Sequence, residues 1–265
     1  MSTAKKFIEL LSSRHYKTNY TPVQEQIVLK IEDRTIATRN NFITFSGLAK
    51  AGKSNFLSNM ISSAFIWNNN ILGMSLKLPE EAPYLAYFDT ESSEYDWYRM
   101  LEKIRAQANI EQLPVTFNAY NVRQDSPELI RELIEFYLKS MAGKCSVVII
   151  DGYLDIINDF NDNIESKKII QWLKYLTKEY NVCIIGVIHL ARKENGLLGH
   201  FGSMLERYSQ SVLEVVKDRE LDIIELRAKY LRSDKDFNPI AVRWTERGFE
   251  RTVSIPVQEI KKPRK

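Results

Sequence analysis

The sequence predicts an α/β fold with a mostly parallel central sheet, flanked by helices and extended by antiparallel strands at the C-terminal end. The first observation is a Gly-x-x-x-x-Gly-Lys-Ser motif between a short apolar strand and an apolar helix. The second is the alternation of strand-like and helix-like segments up to residue 189, which is typical of parallel strands joined by helices. The third is a run of strand-like segments with short connections after residue 210, which indicates antiparallel pairing.

Hydrophobic periodicity and turn residues predict the individual elements. A helix at 4–16 and a hairpin at 27–38 precede the motif. The alternating part is predicted as strand 42–46, helix 53–67, strand 84–89, helix 94–109, strand 115–120, helix 126–141, strand 145–151, helix 164–180 and strand 182–189. The closing strands are predicted at 210–217, 221–230, 239–245 and 248–254.

The composition is that of a globular protein. The 265 residues are enough for one large α/β domain, and 44% of them are hydrophobic. No stretch approaches the apolar length of a membrane span, so no membrane partner is expected. Cys145 and Cys183 lie in strand-like runs and are predicted to be buried free thiols, which fits a cytoplasmic protein. The net charge of +3 is weak evidence for nucleic acid and does not exclude it.

The glycine-rich motif has the spacing of a phosphate-binding loop. Its glycines permit a tight turn, and the helix that follows directs the positive end of its dipole at a bound anion. Lys53 is expected to contact the β- and γ-phosphates of a nucleotide, and the Ser54 hydroxyl to ligate Mg²⁺. The alternative, a chance glycine-rich turn, does not explain the strand before the motif and the apolar helix after it. The predicted nucleotide-binding residues are Gly47, Leu48, Ala49, Lys50, Ala51, Gly52, Lys53, Ser54 and Asn55.

Two carboxylates follow strands at positions where a phosphate-loop enzyme needs them. Asp151 ends the apolar run CSVVIID and is predicted to hold the Mg²⁺ shell; the alternative is an ordinary solvent-reaching Asp at a strand end. Glu91 follows the strand YLAYFD and is predicted to polarise a water for attack on the γ-phosphate. The alternative for Glu91 is an acid near the start of the next helix.

At this point a resemblance becomes specific. The segment YLAYFDTESSEYDWYRM resembles the part of RecA-like ATPases that carries the catalytic Glu, and FITFSGLAKAGKSNFLSNM resembles their phosphate loop. Within that superfamily the chain looks closest to the RepA-type plasmid replicative helicases, relatives of DnaB, over residues 25 to 253. The resemblance implies a RecA-like P-loop core at 26–255, an N-terminal helix or arm at 1–25 and a basic tail at 256–265. It also implies rings or filaments with ATP bound between subunits.

The resemblance assigns roles to three more regions. His189 ends a strand where ring helicases commonly have a polar residue that contacts the γ-phosphate; the alternative is a His that caps the strand. The stretch LARKENGLLGHFGSMLERYSQS resembles the mobile loop that leads toward the central channel. Its Arg192, Lys193 and His200 are candidates for contacts with DNA phosphates, and a solvated loop is the alternative.

The closing strands resemble the region where DnaB-type and RepA-type proteins direct a basic pair into the neighbour's ATP. Lys229 and Arg232 match this pair. The DnaB-type spacing is Lys-x-Arg, whereas this sequence has Lys-x-x-Arg, and a shift of one residue on a strand changes the face.

These features predict a Mg-dependent ATPase that assembles with copies of itself and acts on DNA. Its most concrete form is a RepA-like ring helicase, expected as a hexamer from the resemblance, that moves on single-stranded DNA beside replication or mobile-element proteins. A RadA- or KaiC-like ATPase without unwinding activity is the alternative enzyme. A small-molecule kinase needs a helical lid, which the sequence does not show, and a protein that holds ATP without hydrolysis needs a Glu91 that is not catalytic.

Overall fold

The computed structural model describes residues 3–15, 19–190, 197, 199–245 and 248–254. The helices are α1 (Thr3–Arg14), α2 (Lys53–Ser63), α3 (Glu94–Ala108), α4 (Pro127–Met141), α5 (Asn163–Glu179) and α6 (Gly199–Tyr208), with a 3₁₀ turn at Tyr153–Ile156. The strands are β1 (Ile27–Ile31), β2 (Arg34–Thr38), β3 (Phe42–Gly47), β4 (Met74–Leu76), β5 (Tyr84–Asp89), β6 (Phe117–Asn121), β7 (Cys145–Asp151), β8 (Cys183–His189), β9 (Ser211–Asp218), β10 (Ile223–Leu231), β11 (Ile240–Thr245) and β12 (Gly248–Arg251).

A nine-stranded sheet forms the centre of the fold, in the order β12-β11-β10-β9-β3-β8-β7-β5-β6. The strands from β9 to β6 are parallel to one another, and β10, β11 and β12 are antiparallel to their neighbours. Every residue of β3 and β7 is buried, as expected for apolar strands covered on both faces. The predicted parallel sheet with an antiparallel C-terminal extension is therefore confirmed.

Two hydrophobic clusters cover the two faces of this sheet. One contains residues of α2 and α3 together with the small sheet β2-β1-β4, and the other contains residues of α4, α5 and α6. The predicted hairpin is formed by β1 and β2, whereas the three-residue β4 that pairs with β1 was too short to predict. The two layers leave the carboxyl ends of the parallel strands open at one edge.

Side chains at the helix termini explain most of the observed boundaries. Ser93, Ser126 and Asp162 accept hydrogen bonds from backbone amides of the first turns of α3, α4 and α5. The prediction that α2 extends to residue 67 is wrong, because the helix ends at Ser63. The Asn69 amide donates to the carbonyls of Ser63 and Ala64, at 3.2 and 3.4 Å, and so satisfies groups that a longer helix would have used.

The predicted mobile loop after β8 is wrong for part of its length. Gly199–Tyr208 forms α6, in which Phe201 and Leu205 are completely buried. Polar residues hid the apolar i, i+4 spacing of this pair in the sequence. Gly202 also has a packing role, because a Cβ at this position would lie 2.6 Å from Leu197.

Helix α1 confirms the predicted N-terminal helix, and none of its residues is buried. Its Phe7, Ile8 and Leu11 are all more than half exposed. Cys145 and Cys183 are buried free thiols, as the sequence predicted. Within the described ranges, no helix has both the length and the apolar character that crossing a membrane requires.

The packing of α6 gives a test of stability. Phe201→Ala should lower the free energy of unfolding by about 3–5 kcal/mol, because it empties a fully buried aromatic site next to Tyr153. Urea unfolding followed by circular dichroism measures this loss. Ser203→Ala, on the exposed side of the same helix, is the matched control and should unfold like the parent. Equal stability of the two variants would show that α6 is not packed as described.

Candidate active site

The predicted phosphate loop connects β3 to α2 at the open edge of the sheet. Gly47 is the last residue of β3, and a Cβ there would lie 2.7 Å from the carbonyl oxygen of Val215 on β9. Gly52 precedes the first residue of α2 and has a φ of 101°, in the region that favours glycine. The two glycines of the motif thus stand where space and backbone geometry require them. The backbone between them leads directly into a helix N-terminus, where an anion is stabilised.

Lys53 is buried at the start of α2 and is held by three acceptors. Its Nζ lies 3.0 Å from the carbonyl oxygen of Gly47, 3.0 Å from that of Leu48 and 3.0 Å from Nδ1 of His189. Burial lowers the pKa of Lys53, while Glu91 and Asp151 oppose that shift. A bound phosphate would provide the charged acceptor that these neutral partners replace.

His189 connects Lys53 to Glu91. The parallel register pairs Gly47 with His189, which places this ring beside the phosphate loop. Nε2 of His189 lies 3.1 Å from Oε1 of Glu91. An ammonium group only donates, so Nδ1 accepts from Lys53 and Nε2–H donates to the Glu91 carboxylate. This hydrogen bond is the main reason that the pKa of Glu91 is lowered.

Asp151 lies at the end of β7 in a strongly acidic environment. Its register partner on β5 is Asp89, so the two carboxylates stand side by side. Burial, followed by the charges of Asp89 and Glu91, raises the pKa of Asp151 to about 7. A divalent cation at this position would stabilise the ionised carboxylate.

The donor set fits the predicted magnesium ion. Ser54 and Asp151 line one cavity of about 870 Å³, together with Asn55 and Tyr87. The described residues contain no group of three or more His, Cys, Asp or Glu side chains arranged as a metal site. That does not argue against Mg²⁺, which is commonly held by one or two side chains with phosphate oxygens and water completing its shell. Ser54 and Asp151 would hold the ion, which would neutralise charge on the phosphates.

The same cavity extends from the phosphate loop between α3 and the β11–β12 hairpin. Lys103 of α3 bonds to the side-chain oxygen of Asn55, and its Nζ lies 5.1 Å from the centre of the Trp244 ring. Burial lowers the pKa of Lys103 to about 8. Trp244 is 54% exposed, so an aromatic surface borders the space beyond the phosphate loop.

The structure brings together five of the predicted site residues: Lys53, Ser54, Glu91, Asp151 and His189. Sequence reasoning missed Tyr87, Asp89, Lys103 and Trp244. Tyr87 and Asp89 had a signal, because they precede Glu91 by four and two residues on one strand and therefore share a face. Lys103 and Trp244 had none, since helix and hairpin meet only in the folded chain.

Lys229 and Arg232 lie far from this site in the topology of the sheet. Leu231 pairs with Ser211 at the start of β9, whereas Val215, further along β9, pairs with Gly47 at the phosphate loop. Lys229 forms an ion pair with Glu206 at 2.5 Å, and Arg232 donates to the carbonyl oxygen of Arg207 at 2.9 Å. Both cations thus lie toward the opposite end of the sheet from their own phosphate loop.

The candidate DNA-binding residues are described only in part. His200 lies in the first turn of α6. Arg192 and Lys193 lie outside the described residues, so their predicted contacts remain predictions.

Comparison with known proteins identifies the fold. No family model and no curated protein matches the sequence. The solved ATPase domain of a DnaB-like helicase is similar, with a TM-score of 0.56 and 14% identity over 81% of this chain and 86% of that one. The RadB recombinase is similar with a TM-score of 0.53 and 14% identity over 81% of this chain and 92% of that one. The fold is RecA-like. The resemblance first noted in two short motifs therefore extends to the architecture of the domain.

The environment of Lys53 generates a test of the phosphate loop. Lys53→Ala should abolish ATP turnover, because it removes the cation that would contact the β- and γ-phosphates. Turnover is measured by phosphate release, and circular dichroism checks that the fold is intact. Lys30→Ala, an exposed change on β1, is the control. A Lys53→Ala protein that hydrolyses ATP at the parent rate would contradict the assignment of this loop.

Proposed function

We propose that this protein is a Mg-dependent ATPase that acts on DNA and assembles with copies of itself. The observation that carries the ATPase proposal is the hydrogen-bonded series from Lys53 through His189 to Glu91, next to Asp151. It combines a cation for the phosphates, a carboxylate that stays ionised and a histidine between them. A nucleotide-binding protein without hydrolysis does not require this combination.

The reaction would be attack of water on the γ-phosphorus, which yields ADP and inorganic phosphate. Glu91 would accept a proton from the attacking water, and its lowered pKa keeps it ionised for that purpose. Lys53 would exchange its present acceptors for phosphate oxygens. That exchange removes the donor to Nδ1 of His189, so His189 would report the presence of phosphate to Glu91.

Action on DNA is supported by the likeness of the fold to a DnaB-like helicase domain and to a recombinase. A RepA-like ring helicase is the more specific form of the proposal, because the quoted motifs resemble that family. A recombinase-like ATPase without unwinding is the second candidate, and the RadB likeness favours it about equally.

One pair of experiments tests action on DNA and separates the two candidates. ATP turnover should rise several-fold when single-stranded DNA is added, and it should fall by roughly 10² in Glu91→Gln, which lacks the proposed base. A forked duplex with one labelled strand then measures strand displacement. Displacement that requires ATP hydrolysis supports the helicase, and DNA-stimulated turnover without displacement supports the recombinase-like ATPase. Turnover that does not respond to DNA would contradict action on DNA.

Self-assembly is proposed because the basic pair of the closing strands lies away from its own phosphate loop. Arg232 would then contact ATP bound to a second copy, where a cation stabilises the charge of the transferred phosphoryl group. Arg232→Ala should leave nucleotide binding nearly intact and reduce turnover by roughly 10³ or more. Phosphate release and binding of a fluorescent ATP analogue measure the two effects.

Mixing provides the decisive form of this test. Arg232→Ala and Lys53→Ala proteins should each be inactive, yet together they should recover part of the parent turnover. Mixed assemblies place an intact phosphate loop opposite an intact Arg232. An inactive mixture of variants that co-assemble by size-exclusion chromatography would show that Arg232 does not complete a shared site; Lys229 would be tested next.

A further inference from the structure

Two buried residues of β5 connect Asp151 to the turn that carries Glu91. The hydroxyl of Tyr87 lies 3.0 Å from Oδ2 of Asp89 and 3.3 Å from Oδ2 of Asp151. The other carboxylate oxygen of Asp89, Oδ1, accepts hydrogen bonds from the backbone amides of Glu91 and Ser92, at 3.0 and 2.8 Å. Asp89 therefore faces the predicted metal ligand with one oxygen and fixes the turn of the predicted base with the other.

Burial makes this arrangement a specific one. Tyr87 and Asp89 are each 1% exposed, so their polar atoms depend on protein partners. Strand periodicity places both side chains on one face of β5, and the register with β7 places Asp151 beside Asp89. The single phenolic proton lies between two carboxylates that would otherwise repel each other. Phenylalanine would fill the same space without supplying that proton.

A second contact holds the same turn from the other side. The backbone amide of Thr90 donates to the carbonyl oxygen of Asp151 at 2.7 Å, and the Thr90 hydroxyl accepts from the amide of Gly152 at 2.7 Å. The backbone after β5 is thus fastened to the backbone after β7. Within this frame, the carboxylate of Asp89 determines how Glu91 leaves the strand and reaches His189.

We propose that Tyr87 and Asp89 are positioning residues that connect the metal-ligating carboxylate of Asp151 to the turn that presents Glu91. A divalent cation at Asp151 draws that carboxylate toward the nucleotide, and the Tyr87 hydroxyl transmits the change to Asp89. The position of the base then depends on occupation of the metal site. This inference rests on the proposed ATPase function.

Tyr87→Phe removes only the hydroxyl and gives the first test. Turnover at saturating ATP and Mg²⁺ should fall about 10-fold or more, because a small misplacement of a catalytic group costs up to about 10²-fold. The Mg²⁺ concentration for half-maximal turnover should rise several-fold, whereas binding of a fluorescent nucleotide without Mg²⁺ should not change. A readout without turnover is the increase in melting temperature that Mg²⁺ adds to ADP, which should shrink. Tyr84→Phe, at the other end of the same strand, is the matched control and should behave like the parent.

A pair of changes at Asp89 separates positioning from other roles. Asp89→Ala loses the acceptor for the Glu91 and Ser92 amides, so turnover should fall at least about 10-fold at saturating Mg²⁺. Asp89→Asn keeps that acceptor, and its amide can donate to the Tyr87 hydroxyl, which then donates to Asp151. Asparagine should therefore restore most of the turnover that alanine loses. If Asp89 were needed as a metal-ligating charge, asparagine would fail as alanine does.

Each outcome decides the inference. It is overturned if Tyr87→Phe equals Tyr84→Phe in turnover and in Mg²⁺ dependence, or if Asp89→Asn is as inactive as Asp89→Ala. It is also overturned if Tyr87→Phe weakens Mg²⁺-free nucleotide binding in proportion to turnover, since that indicates general damage to the fold. If Tyr87→Phe does not fold, the Asp89 pair decides. Failure of the proposed function looks different, because the parent would then release no phosphate from ATP or Lys53→Ala would match it.

Discussion

The parallel register of β3, β8, β7 and β5 is the constraint on which the site depends. It pairs Gly47 with His189 and Asp89 with Asp151 at one edge of the sheet. Residues from four separate parts of the chain therefore meet without a loop long enough to bring them there. A shift of one residue in any of these pairings would direct the side chains to the opposite face. The buried apolar residues of the strands thus fix the positions of the polar residues at their ends.

The charges at this edge stabilise one another in pairs. Burial would favour the neutral form of Lys53, and the nearby carboxylates of Glu91 and Asp151 oppose it. Asp151 has the larger cost, since it is buried beside Asp89 and near Glu91, and its pKa is raised to about 7. Glu91 differs because His189 donates to it. Carboxylates in one environment therefore have different proton affinities, as distinct roles in one reaction require.

The sequence predicted the residues whose chemistry follows from position along a strand. The phosphate loop, Asp151, Glu91 and His189 each end or follow an apolar run, and parallel strands bring such ends together. The arrangement of Tyr87, Asp89 and Asp151 was not predicted, because it depends on which strand lies beside β5. Helix α6 was missed because two buried residues, Phe201 and Leu205, are separated by polar ones. The meeting of Lys103 with Trp244 depends on the packing of a helix on a hairpin, which periodicity within either segment does not report.

The sheet also separates what one chain supplies from what a second chain would supply. Lys53, Ser54, Asp151 and Glu91 lie at the carboxyl ends of the parallel strands and are sufficient, on the proposed function, to bind nucleotide and activate water. Lys229 and Arg232 lie toward the opposite end, because β10 runs antiparallel to β9 and returns the chain away from Gly47. An antiparallel return of this kind carries a cation away from the phosphates of its own chain. It can present that cation on the surface that meets the next copy. The antiparallel extension would then make hydrolysis depend on assembly.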